Sequence, residues 1–245
     1  IKTSSSRFVS LIQNESFLAK ALSSYRKCLS LRSRTLYLTK DWQYFMHDYL
    51  PFWLNEFGIG KNLLLSPEDM AFENDIFTAY VTQDDNTKTN LINMGTGVGQ
   101  VISLILLPFY VYDNYGFPKD KCYFKDCSLY IEEPETNLHP LWQSKLMDLL
   151  VCIWEKFGIT FIIESHSEYM VRKLQYLTAN KELLPEHSVI YYFCNPNEIP
   201  KGEKQINEIN ITSNGGLTDS FGTGFFDEAT NIKMELLRIN QIQKN

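Results

Sequence analysis

Two adjacent carboxylates, Glu132 and Glu133, end an apolar run that begins at Leu129, and Pro134 stops it. A short buried strand ending in acids is a common way to hold Mg²⁺ beside a nucleotide phosphate. One carboxylate can hold the metal, directly or through water, while the other orients or deprotonates an attacking water. The plain alternative is a strand that stops at two solvated acids. Against it, neighbouring carboxylates repel each other and call for a cation or hydrogen-bond donors close by. Pro134 and Asn137 also give the following turn a defined shape.

A second apolar run, Phe161-Ile162-Ile163-Glu164, leads into Ser165-His166-Ser167. A lone His after a strand is more often structural than catalytic. Beside an acidic strand, however, His166 could reach a terminal phosphate and the water that attacks it. Two such strand ends side by side would make one nucleotide site. Upstream lies Gly95-Thr96-Gly97-Val98-Gly99-Gln100, before an apolar segment. It could present backbone N–H groups and a helix N-terminus to an anion. An ordinary flexible turn explains it equally well.

These residues need elements to carry them. Residues 4 to 56 have helical spacing, with Phe8, Leu11 and Ile12, then Phe17, Leu18, Leu22 and Tyr25. Asp41 is a candidate cap for a helix carrying Trp42, Phe45, Met46, Tyr49 and Leu50, and Pro51 with Gly58-Ile59-Gly60 marks its end. Leu63 to Leu65 and Ile76 to Val81 read as strands, with Thr87 to Ile92 a hairpin partner after a turn at 83–86. The Gly-rich turn then leads into a helix from about Gln100 to Tyr112. After the Glu-Glu strand come a helix over Pro140 to Phe157, stopped by Gly158, and a strand over Thr160 to Glu164. A helix over Ser167 to Leu177, strands at Val189–Cys194 and Ile206–Ile211, and a helix over Asp227 to Ile239 complete the chain. Alternating strands and helices from residue 93 onward predict an α/β fold with a largely parallel sheet.

The 245 residues can bury a sizeable core, and 44% hydrophobic with 21% charged residues is ordinary for a globular protein. A net charge of −6 argues against a strongly basic nucleic-acid binder. The short basic patches Arg26-Lys27, Arg32-Ser33-Arg34 and Arg172-Lys173 read as solvated helix faces. Aromatics over residues 42–53 read as core or dimer packing, not base stacking. Cys28, Cys122, Cys127, Cys152 and Cys194 are odd in number and scattered, with no second pair to complete a zinc site. They read as reduced thiols, which places the protein in the cytoplasm. The most apolar window, Val98 to Tyr112, is too short to span a bilayer. The chain begins with Ile, not Met, which reads as truncation, cleavage or a further leading segment.

In this order, the segments Asn93–Gln100, Leu129–Pro140 and Phe161–His166 resemble the ABC-type ATPases of the RecF/SMC/OLD group. That group includes AAA-labelled ATPases of bacterial defence systems. The resemblance covers about residues 60 to 240 and implies the C-terminal lobe of a P-loop NTPase. Its fold would be a largely parallel sheet flanked by helices, over 57–245. Residues 1–56 would then be a helical segment belonging to an insertion between lobes. The resemblance makes Glu132 the Mg²⁺ carboxylate, Glu133 the catalytic base and His166 the switch histidine. Gly97, Gly99 and Gln100 fall in the signature motif, which binds the γ-phosphate of ATP held by the opposite subunit. Thr136-Asn137-Leu138-His139 is the D-loop, and Gly224 to Glu228 looks like the C-terminal end of such ATPases.

One departure is large: no G-x-x-x-x-G-K-[ST] occurs in the sequence, and Gly58-Ile59-Gly60-Lys61-Asn62 is the nearest miss. The resemblance therefore implies a P-loop lobe elsewhere, on the same or another polypeptide, and little ATP hydrolysis without it. The implied function is a homodimeric, Mg²⁺- and ATP-dependent switch that controls an effector protein, for example a nuclease, in a DNA-related or anti-phage system. Nucleic acid is a conceivable partner and a membrane is not. Two other functions compete. An OLD-type nuclease needs a Glu-Gly strand end and a later Asp-x-Asp, whereas Glu164 precedes Ser165-His166. An inert scaffold has no need of Glu132, Glu133 and His166.

Overall fold

The computed structural model describes residues 7–11, 15–30, 44–66, 78–115, 127–197, 199, 204–222, 224–226 and 228–242. The chain divides into two compact units, Ile1–His166 and Ser167–Asn245.

The first unit is built on a parallel three-stranded sheet. Its strands are β1 (Arg7–Leu11), β5 (Cys127–Glu132) and β6 (Thr160–Glu164), with β5 central. Val9 pairs with Leu129, and Glu132 sits in register with Glu164 at the ends of β5 and β6. Along β5, Leu129 and Ile131 are buried while Tyr130 and Glu132 are half-buried, the alternation of a strand with one covered face. Helix α5 (Pro140–Phe157) follows. Pro140 suits its first turn, where a backbone N–H would lack a partner anyway, and His139 caps it by accepting from the Leu141 N–H. Gly158, at φ 68, ends it in the left-handed conformation that glycine adopts without penalty. Leu146, Leu149, Leu150, Ile153 and Phe157 form its buried stripe.

The remaining helices of this unit are α1 (Glu15–Ser30), α2 (Leu50–Glu56), α3 (Thr96–Ile105) and α4 (Leu107–Tyr115). A π-helical turn over Tyr44–Tyr49 runs into α2. Aromatic rings fill the space between them. Phe45 stacks on Phe157 with centroids 4.3 Å apart and meets Phe109 at 4.8 Å. Tyr25 packs edge-on against Phe109 at 5.2 Å. An antiparallel sheet, β2 (Asn62–Leu65), β3 (Ala79–Thr82) and β4 (Lys88–Asn90), lies in the same unit.

The second unit holds α6 (Glu168–Ala179), an antiparallel pair β7 (Ile190–Phe193) and β8 (Ile206–Ile209), and α7 (Glu228–Ile242). Phe221, Phe225 and Phe226 cluster there, and the Arg172 guanidinium lies 3.9 Å from the Phe226 ring centroid.

Several sequence expectations need correction. The first is the helical reading of residues 4 to 56. Residues 7–11 form β1, because five residues of mixed polarity, Arg-Phe-Val-Ser-Leu, have no decisive period and pairing with β5 decides. Pro51 sits in the first turn of α2 instead of ending a helix. The Gly-rich segment is not a loop: α3 starts at Thr96, with Gly95 as its N-cap, so Gly97 and Gly99 lie inside the helix. The single expected helix bends by 50° between α3 and α4. Pro108 has no N–H to continue the ladder, and its ring would crowd the carbonyl four residues back. The parallel sheet is also smaller than expected. The strand at Val189–Cys194 pairs antiparallel with β8, and its alternating exposure (Tyr191 and Phe193 outward) suits a sheet with one solvated face. The fold is thus mixed α/β, with parallel pairing, among the described residues, confined to the three strands β1, β5 and β6. Asp41, Trp42, Ile76, Phe77 and Asp227 fall outside the described residues. Among the described residues, no single helix is long and apolar enough to cross a membrane.

Candidate functional site

The parallel sheet delivers the two predicted motifs to one place. Because β5 and β6 run in register, their C-terminal ends stop together, and the Glu133 N–H extends the ladder to the Glu164 carbonyl at 2.8 Å. Beyond that bond the chain turns sharply. Glu133 adopts φ 41, a left-handed conformation that a residue with a side chain rarely takes. Asn137 does the same at φ 62, where asparagine is better tolerated. Between them the Thr136 N–H bonds the Glu133 carbonyl at 3.1 Å and the Leu138 N–H bonds the Glu135 carbonyl at 3.0 Å. The turn is therefore tightly bonded to itself.

This turn aims Glu133 at His166. One carboxylate oxygen, Oε1, lies 3.7 Å from the His166 Nε2, within ion-pair reach when the imidazole is protonated but too long for a direct hydrogen bond. The other, Oε2, accepts from the Thr136 hydroxyl at 3.0 Å. The Glu133 side chain is 46% exposed and that of His166 77%. Both groups can thus meet a ligand from solvent. Glu132 stands one residue earlier on the strand, opposite Glu164. Glu164 accepts a 2.6 Å hydrogen bond from the Tyr130 hydroxyl, and that bond pushes the Tyr130 phenol up to about 12. Tyr130 therefore stays a neutral donor at physiological pH.

Two neighbours were not expected from the sequence. Glu135 is buried, at 7% exposure, and its Oε1 accepts from the Ser165 hydroxyl at 2.8 Å and from the His166 backbone N–H at 2.6 Å. Its Oε2 is buried without a hydrogen-bond partner. The only sequence signal was a third acid two residues after the pair, which looks like a surface residue. Ser165 was visible only as a neighbour of His166.

The glycine segment reaches the same turn from another side. The Gln100 amide donates to the Pro134 carbonyl at 2.7 Å. A Cβ on Gly97 would lie 3.0 Å from the Asn137 carbonyl oxygen and 3.2 Å from the Leu138 Cδ2, so α3 approaches the turn as closely as a residue without a side chain allows. Gly99 faces Leu18 instead. The structure thus brings Glu132, Glu133, Asn137, Gln100, Gly97 and His166 around one turn. Gly99, two residues further along α3, lies toward Leu18 of α1.

Among the described residues, no three His, Cys, Asp or Glu side chains gather as a metal-binding set. This donor set does not form a complete protein cage. It does fit Mg²⁺, which typically takes one or two carboxylates and completes its shell with phosphate oxygens and water.

Comparison with known families gives two matches. Residues 40–171 match a model described as AAA ATPase domain. Residues 184–236 match a model described as a protein of unknown function, DUF3696. The first spans more than half of the chain and contains every residue around the turn. A comparison with curated proteins gives no match.

Proposed function

The chain belongs to the AAA ATPase domain family, and from that premise we propose that it is the C-terminal lobe of an ABC-type ATPase of the RecF/SMC/OLD-like group. In this reading Glu132 holds Mg²⁺, Glu133 accepts a proton from the attacking water, and His166 contacts the terminal phosphate. Bound Mg²⁺ neutralises the charge that builds on the phosphate oxygens. Gln100 and Asn137 lie toward ATP held by a second copy, while Gly97 and Gly99 let α3 pack closely on the turn and on Leu18. Two copies then close head to tail around ATP. A P-loop lobe, on this or another polypeptide, supplies the phosphate cradle. Closure and hydrolysis switch an effector protein, with defence or DNA processing as the setting.

The observation that carries the reading is the approach of Glu133 to His166 at the end of β5. A backbone bent into a left-handed turn costs free energy, and such costs concentrate where a side chain must be aimed. Gln100 supports the reading in a second way, because its bond to Pro134 ties the glycine-bearing helix to the same turn.

Calorimetric titration of Mg²⁺-ATP into the full protein tests it. Saturable binding that weakens when Mg²⁺ is chelated is expected. Absence of binding would favour the inert scaffold.

A further inference from the structure

The structure assigns Glu135 a task that no motif gives it. We propose that Glu135 is the positioning residue that holds His166 against the Glu133 turn. This inference rests on the functional reading above for its effect on catalysis, but its structural core can be tested without ATP.

The connection from β6 into the next helix carries His166; its far end is held by Ser167, which is buried and caps that helix by accepting from the Met170 N–H at 3.3 Å, so the anchor in question is that of Ser165 and His166. Glu135 supplies the anchor. A single oxygen, Oε1, takes both the Ser165 hydroxyl at 2.8 Å and the His166 N–H at 2.6 Å. These contacts join residues about thirty positions apart in sequence. They also join the turn after one strand to the turn after its neighbour. Because Glu135 lies two residues from Glu133 on the same tight turn, fixing the His166 backbone to Glu135 sets the distance between the His166 ring and the Glu133 carboxylate. That distance is 3.7 Å.

The other oxygen sharpens the proposal. Oε2 is buried and makes no hydrogen bond. The clamp therefore uses one acceptor oxygen and not the two oxygens of a bidentate carboxylate. A carboxamide at this position offers the same acceptor with the same shape. Charge is dispensable for the clamp, while an oxygen at that point is required. Glu133 differs in this respect, since its proposed role needs a proton acceptor.

The test compares Glu135→Gln and Glu135→Ala in the full protein, with His166→Gln to identify resonances. In nucleotide-free protein labelled at histidine with ¹⁵N, the His166 amide proton should lie downfield in wild type and in Glu135→Gln. It should return to the ordinary amide range in Glu135→Ala. With Mg²⁺-ATP, Glu135→Ala should lower kcat by about 10- to 100-fold, the scale of a misplaced catalytic group, and leave KM within about threefold. Glu135→Gln should keep kcat within about threefold of wild type. An amide shift that is the same in wild type and Glu135→Ala overturns the clamp. Equal loss of kcat in both variants, with the Gln amide shift retained, overturns the claim that position and not charge is what Glu135 supplies. If wild type bound no ATP while the amide shifts behaved as expected, the ATPase reading would fail and the clamp would stand.

Discussion

The left-handed turn at Glu133 makes a prediction that separates backbone strain from chemistry. Glu133→Ala and Glu133→Gly both delete the carboxylate, the Thr136 hydroxyl bond and the approach to His166. They differ only in the Cβ. At φ 41, a Cβ costs about 1–2 kcal/mol in the folded state. Alanine recovers about 0.4–1 kcal/mol because its unfolded chain has less freedom to lose. The side chain is 46% exposed, so burial adds little to the difference. Glu133→Gly should therefore be more stable than Glu133→Ala by up to about 1.6 kcal/mol, about 0.8 kcal/mol at the middle of these ranges, reversing the usual order of these two residues. Urea denaturation of the two variants, followed by tryptophan fluorescence, reads this as a higher midpoint for glycine. Thermal unfolding should agree, with about 2–4 °C between them per kcal/mol in a chain of this size. An alanine variant more stable than the glycine variant by about 0.4–1 kcal/mol, the usual order, would show that the turn is not strained and that the argument from strain to function is unsound.

Other expectations follow from the packing. Phe45→Ala, which removes a ring stacked on Phe157 and tilted against Phe109, should cost about 3–5 kcal/mol in the same urea assay; a cost below about 1 kcal/mol would mean that these aromatics are not core. Gly97→Val places a branched side chain where even a Cβ would stand 3.0 Å from the Asn137 carbonyl. It should destabilise by about 1–3 kcal/mol, and wild-type stability would show that α3 does not press on the turn. Burial, reinforced by Asp113, pushes the Cys28 thiol up to about 12. Iodoacetamide at pH 8 should therefore leave Cys28 unmodified in folded protein and alkylate it after denaturation, as mapped by peptide mass spectrometry. Equal labelling in both states would refute its burial.

Much of the site was legible because its elements carry their own punctuation. The apolar run into Glu132-Glu133 needs a strand and the run into Glu164 needs another. Pro140 and Gly158 bracket the helix between them; the helix and the second strand span the expected residues, and the first strand starts two residues earlier, at Cys127. The failures share a cause: they depend on partners distant in sequence. Residues 7–11 have no period long enough to declare a strand, and only the open side of β5 makes them one. Glycines suggested a loop at 95–99, yet a close approach between α3 and the 133–138 turn is also a reason for glycine, and that approach is a tertiary fact. The antiparallel pairing of β7 with β8 was hidden for the same reason. Glu135 is the clearest case. A glutamate in a polar turn is ordinarily solvated, and nothing local reveals that the next strand's loop will cover it.

The most direct test of the central claim is single-turnover phosphate release from Mg²⁺-ATP by the full protein, comparing wild type with Glu133→Gln. If Glu133 is the base at an ATP site formed by the ends of β5 and β6, the variant should bind ATP as wild type does, remain in a closed dimer, and release phosphate about 10²–10⁴-fold more slowly. Phosphate release by Glu133→Gln at the wild-type rate, with ATP bound, would contradict the assignment.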